Sequence, residues 1–290
     1  MNPEELRAQW AKADRERDQG LTAPPEIARQ DNLSYGPYGG WSLLDVYRRR
    51  DARGLQPVIV SVHGGGFFYG TKEVYQFYCM SLAKRGFTVV NFNYRLAPEW
   101  TYPTPLEDIS LVMDWILRHG PDYGMDVRNL FLVGDSAGGQ LASQYALLHS
   151  NPRYAGLFSF PVSPAPIRAV ALNCGLYTID ESFLSDEIPR RWYFGADVLR
   201  RFPEQLPMGR HITGDYPPAF VMSCPGDFLL PMAAPMAELL ASRGVETVLR
   251  ICESREEELG HVFHVNQKLR AADLCNREEC NFFLAHMQKN

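Results

Sequence analysis

The 290-residue sequence contains no apolar run approaching the roughly 18 residues that a membrane span requires. It also lacks any Cys-x-x-Cys pair, internal repeat or low-complexity segment, and its only basic block is Arg48-Arg49-Arg50. Each absence removes a class of function. No transmembrane segment is expected, and the charged N-terminus "MNPEELRAQWAKADRERDQG" lacks the apolar core of a secretory signal, so the expected location is the cytoplasm, with no membrane partner. A net charge of −5 without clustered Lys or Arg argues against a nucleic-acid partner and leaves a small neutral or cationic molecule as the easier ligand. Six scattered cysteines (Cys79, Cys174, Cys224, Cys252, Cys275, Cys280) do not form a disulfide framework, and several sit inside apolar strand-like runs as reduced core residues. The five-residue spacing in "CNREEC" is too weak a signal for a metal or redox centre, so no metal is expected.

What the sequence does contain is alternation. Apolar runs of strand character recur at 43–49, 57–62, 87–93, 129–134, 168–174, 219–224 and 246–251. Most are too continuously apolar to face water on one side, which suits the interior of a parallel sheet. Helical patterns lie between them, at about 73–84, 137–149, 232–243 and 277–288 and in "LEDISLVMDWILRHG", where Leu106, Ile109, Met113 and Ile116 share one stripe and Gly120-Pro121 marks the stop. Strands alternating with helices predict an α/β fold with a doubly wound sheet and a site at the carboxyl ends of its strands. Two stretches break the alternation: residues 1–40, a charged amphipathic helix ending in a Gly/Tyr-rich loop, and residues 177–215, a helix pair where a short connection is expected.

In "FLVGDSAGGQLASQYALL" a serine stands at the junction of a buried strand and a helix, with Gly134 and Gly138 two residues to either side. Small residues there permit a sharp turn that holds Ser136 outward, the nucleophile elbow, with the dipole of the following helix beneath it. "VIVSVHGGGFFYG" supplies, after another buried strand, side-chain-free residues whose N–H groups can approach an oxyanion. A serine needs a base, and the base needs an acid. In the chain order Ser, acid, His, the base is His261 or His264 of "LGHVFHV" and the acid is Asp227 of "VMSCPGDFLLP", in preference to Asp215 or the Glu256-Glu257-Glu258 run.

From about residue 57 onward, "HGGGFFYG", "NYRLAPEWTYPTPLEDI", "GDSAGGQLA" and the late acid and histidine resemble the hormone-sensitive-lipase-like group of α/β-hydrolases. The resemblance implies an α/β-hydrolase fold: a mostly parallel eight-stranded sheet, helices on both faces, and one domain over 1–290 with a small helical cap formed by about 1–40 and 177–215. It implies an oxyanion hole at Gly65, Gly66 and Ala137, favours His261 as the base, and supports Asp227 as the acid. Two departures are visible: Asn93 replaces the usual aspartate before "YRLAPE", and "DFLLPMA" lacks the group's second acid downstream of Asp227.

The expected activity is a serine carboxylesterase acting on short acyl, first of all acetyl, esters, with no organic cofactor and a small-molecule ester as partner. Phe67, Phe68 and Trp192 are candidate pocket walls, and a homodimer is a weaker expectation. The competing readings are an amide or formamide hydrolase such as a kynurenine formamidase and, less favoured, a non-catalytic ligand-binding protein.

Overall fold

The computed structural model describes residues 2–180, 184 and 188–288, with residues 188–190 described by backbone alone. Eight strands form one sheet in the order β1-β2-β4-β3-β5-β6-β7-β8. These are β1 (Ile27–Ser34), β2 (Leu43–Arg49), β3 (Gln56–Val62), β4 (Thr88–Phe92), β5 (Met125–Asp135), β6 (Ile167–Asn173), β7 (Ala219–Ser223) and β8 (Thr247–Ile251). β2 runs antiparallel to both neighbours and every other pairing is parallel.

The helices are α1 (Pro3–Asp18), α2 (Lys72–Ala83), α3 (Thr104–His119), α4 (Ala137–Ser150), α5 (Pro152–Ala155), α6 (Ile188–Phe194), α7 (Val198–Arg201), α8 (Leu230–Ser242) and α9 (Arg270–Ala285). They divide between the two faces because the central strands are apolar on both. Val58, Val60 and Val62 of β3 join one core with Leu106 and Ile109 of α3 and Leu141 of α4, whereas Ile59 joins a second core with Tyr78 of α2 and Phe283 of α9. All four residues of the predicted α3 stripe are buried.

Three features differ from the expectation. Residues 27–34, read as part of a helix-and-loop segment, form the edge strand β1. Its sequence "IARQDNLS" carries no apolar run because only Ile27 is buried. The last helix begins at Arg270, seven residues early, because its first N–H groups donate to the distant Glu257 carboxylate, at 2.8 Å each from Arg270 and Ala271. In the 177–215 stretch the described helices are α6, α7 and a single turn at Met208–Arg210, while 181–183 and 185–187 lie outside the described residues. Among the described residues no helix is long and apolar enough to cross a membrane.

Candidate active site

β5 ends at Asp135 and α4 begins at Ala137, so Ser136 occupies the whole turn, with φ 52° and ψ −119°. A side chain must pay strain to adopt such a conformation. The neighbours that hold it there are backbone: Ser136 N–H donates to Asn173 O at 3.1 Å, and Leu176 N–H donates to Ser136 O at 3.2 Å. Gly134 and Gly138 are required by close approach, since a Cβ on Gly134 would collide with Gly138 O and one on Gly138 with Val62 O.

His261 stands beyond β8, on a loop joined to the Asp227 loop by the parallel bridge Gly226–Gly260. Its Nε2 lies 2.9 Å from Ser136 Oγ and its Nδ1 2.6 Å from Asp227 Oδ1. An ionised carboxylate only accepts, so the ring proton belongs on Nδ1 and leaves Nε2 free to take the serine proton. Asp227 also accepts from Ser223 Oγ at 2.7 Å and Leu229 N–H at 2.9 Å, which brace it in a loop that lacks the second acid. Burial pushes its carboxyl up, but the bonds from His261, Ser223 and Leu229 outweigh burial and hold it below the ordinary carboxylate value. Cys174 brings its Sγ within 4.8 Å of the Asp227 and His261 donor atoms, the one cluster of metal-ligand type among the described residues; both His261 nitrogens are already engaged.

The other histidine candidate is elsewhere: His264 is fully buried, edge-on to Tyr78 at 5.2 Å, with burial lowering its pKa to about 3. Asp215 is exposed, and Glu257 caps α9. His63 donates from Nδ1 to Gly64 O at 2.7 Å and stacks on Tyr94 at 4.1 Å. Burial lowers its pKa to about 4, so it is a neutral part of the loop.

Gly65 and Gly66 adopt φ 119° and 59°, the left-handed half of the map. Among the described residues their N–H groups make no hydrogen bond, and that of Ala137, opening α4, has no intrahelical acceptor. Ahead of them, Gly64 N–H donates to Tyr75 Oη at 3.0 Å, and Tyr75 Oη donates to Asp135 Oδ2 at 2.6 Å. Burial raises the Asp135 carboxyl to about 7. Asn93, the other departure, fastens scaffold: it accepts from Lys72 N–H at 2.8 Å and donates to Gly40 O at 2.9 Å.

A cavity of about 530 Å³ contains Ser136, His261 and the three glycines 64–66. Phe67 and Phe68, two of the candidate walls, line it. Trp192 does not: it packs edge-on against Phe68 at 5.3 Å and supports that wall without reaching the cavity. The opposite side is built by Phe228, Leu229, Leu176 and Val262, the Phe228 ring lying 4.3 Å from that of His261. Residues that sequence reasoning missed come from α1: Trp10, Ala13, Asp14 and Arg17 all line the cavity. Their helical spacing was legible, but a stripe of mixed polarity gives no apolar signal.

A family model described as "alpha/beta hydrolase fold" matches residues 59–265. The Mycobacterium tuberculosis protein named "Probable carboxylic ester hydrolase LipM" is 31% identical over 219 residues, 71% of this chain, and the chain spans 50% of that relative's length. Carboxylesterase NlhH from the same species is 28% identical over 79% of this chain and 76% of its own. Among solved structures, esterase B from Lactobacillus rhamnosis superposes with a TM-score of 0.88 at 25% identity, covering 98% of this chain and 93% of that one. The sheet order and the extent of the family match lead to one assignment: the chain belongs to the α/β-hydrolase fold family, in the hormone-sensitive-lipase-like group that its motifs resemble.

Proposed function

We propose that the protein is a carboxylic ester hydrolase that removes short acyl groups, acetyl first, by a Ser-His-Asp acyl-enzyme mechanism. The observation that carries this reading is the line from Ser136 Oγ through His261 to Asp227, with contacts of 2.9 and 2.6 Å, beside three N–H groups without internal partners. Ser136 Oγ attacks the ester carbonyl as its proton passes to His261 Nε2. The oxyanion is held by the N–H groups of Gly65, Gly66 and Ala137, a donor of this kind contributing about 2.7–4 kcal/mol. His261 gives its proton to the leaving alcohol, and water, deprotonated by the same nitrogen, releases the acid. Asp227, held ionised, fixes the ring and stabilises the imidazolium.

Short acyl groups are favoured by a finite cavity with α1 along one wall, and the neighbouring esterase B was solved with a tributyrin phosphonate. We assign α1 and the described parts of 177–215 to a cap; a cytoplasmic location and a homodimer remain proposals, the latter checked by light scattering.

Initial rates on p-nitrophenyl esters from acetate to dodecanoate test the reading, with wild type, Ser136→Ala, His261→Ala and His264→Gln compared. Turnover is expected to peak at acetate or butyrate, to fall to about a millionth in Ser136→Ala and by a similar factor in His261→Ala, and to persist in His264→Gln. Full activity in Ser136→Ala overturns the mechanism. A wild type silent on esters but active on N-formylkynurenine transfers the site to formamides.

A further inference from the structure

Helix α1 is held over the cavity by a face of mixed polarity. Its first turns are fastened by Leu6, packed against the core, and by Arg7, which donates to Phe68 O at 2.8 Å and Ala97 O at 2.7 Å and pairs with Glu99. Further along, Trp10, Ala13, Asp14 and Arg17 follow at i, i+3, i+4 and i+7, so they share one side of the helix. All four line the cavity that contains Ser136. A helix docked only for packing carries an apolar stripe, whereas here Trp10 and Ala13 share the face with the charged Asp14 and Arg17 and no residue of α1 is fully buried.

The polar members are oriented by their bonds. Asp14 accepts from Arg17 Nη1 at 2.8 Å and from Tyr69 Oη at 2.5 Å. Arg17 also pairs with Asp18 through Nε and Nη2, at 2.7 and 2.6 Å, and donates from Nη2 to Val74 O at 2.9 Å. Those bonds use four of the five guanidinium N–H groups and leave one on Nη1, beside Asp14. Two carboxylates to one guanidinium make the wall unfavourable to an anion. Trp10, 36% exposed, is steadied by Phe68 at 4.9 Å and Tyr69 at 5.6 Å. Partly desolvating three charges contributes little to stability. It does create an acceptor and a donor side by side next to an aromatic ring.

We infer that this wall receives the alcohol portion of the substrate, and that this alcohol carries vicinal hydroxyl groups, as a sugar does. One hydroxyl donates to Asp14, its neighbour accepts from Arg17 Nη1–H, and the C–H face of the ring lies against Trp10. The inference rests on the short-acyl esterase reading: an acetyl or butyryl group fills a small part of about 530 Å³, so the space beneath α1 falls to the alcohol. α1 lies outside residues 59–265, the part matched by the family model.

The test compares a 6-O-acetyl methyl glucoside with cyclohexylmethyl acetate, a ring of similar size without hydroxyls. Wild type is expected to favour the glucoside in kcat/KM by about tenfold or more, and the ratio to collapse toward one in Asp14→Asn and Arg17→Leu through a raised KM for the glucoside. A wild-type ratio of one or less, or a ratio unchanged in both variants, overturns the inference while leaving the esterase reading intact. Calorimetry of methyl glucoside binding to Ser136→Ala, with and without Asp14→Asn, reads the subsite without turnover. Binding lost with Asp14→Asn supports it, and no binding to Ser136→Ala overturns it. Glucoside binding by a protein silent on every ester rejects the esterase reading alone.

Discussion

Tyr75 is the residue on which the glycine loop after β3 and the turn at Ser136 meet. Its hydroxyl accepts from Gly64 N–H and donates to the carboxyl of Asp135, the residues directly preceding Gly65 and Ser136. Replacing it by Phe removes the acceptor that the buried Gly64 N–H finds among the described residues, which costs about 1–3 kcal/mol wherever that group is left unpaired. Tyr75→Phe is therefore expected to lower kcat on an aryl acetate by about tenfold with KM little changed, because the shift falls on groups that meet the developing oxyanion in the proposed mechanism. An unchanged kcat in steady-state kinetics removes Tyr75 from this role. The glycines and Ser136 were legible because their chemistry demands particular residue types at fixed spacing. Tyr75 was not, since the hydroxyl that matters is brought to Asp135 from 60 residues away by the packing of α2.

At the scale of elements, the cavity depends on how α1 is attached. Arg7 supplies four of the bonds that anchor it, one each to Phe68 O and Ala97 O and two to the carboxylate of Glu99. In Arg7→Ala those carbonyls return to water and α1 loosens, so KM on an aryl acetate is expected to rise more than kcat falls, and limited proteolysis to cut between α1 and β1 sooner than in wild type. Equal protease resistance in the two proteins contradicts this attachment. Seven of the eight strands announced themselves as apolar runs: for β3 to β7 because strands buried on both faces have little freedom in composition, and for the largely exposed edge strand β8 through its β-branched and aliphatic residues alone. β1 did not, being an edge strand with one buried residue. The start of α9 was hidden for another reason: its N-terminal partner, Glu257, sits 13 residues before Arg270 and gives no capping pattern at the helix itself. Trp192 shows the converse error, an aromatic residue near the site in sequence that supports the wall from behind.

For the molecule as a whole, buried acids raised by desolvation, Glu279, Asp135 and Asp108, bear on how stability responds to pH. Glu279 of α9 accepts from Asn173 Nδ2 at 2.6 Å and from Tyr78 Oη at 3.3 Å, yet burial pushes its carboxyl to about 7. Asp135 is raised to about 7 by the same cause. A carboxyl raised in the folded protein binds more protons there than in the unfolded chain, so its contribution is complete below the unfolded value and fades as pH rises through about 7. For Glu279 the difference is of order 3 kcal/mol. Tm is expected to fall between about pH 5 and pH 7, inside the interval these shifts bound, and to level off above it, and Glu279→Gln to flatten that slope; a wild-type Tm flat across the interval contradicts the assignment. Asp227 acts in the opposite sense and a lower window, its contribution being lost only as pH falls below the ordinary carboxylate range.

The anchoring of α1 also bears on the order of assembly. Arg7 precedes Phe68 by 61 residues and Ala97 by 90. A helix of 16 residues without a buried side is marginal in water. During synthesis α1 therefore emerges well before the turns after β3 and β4 that hold it, and it stays solvated until both have folded. The earliest of these three segments to be made is the last to be fastened.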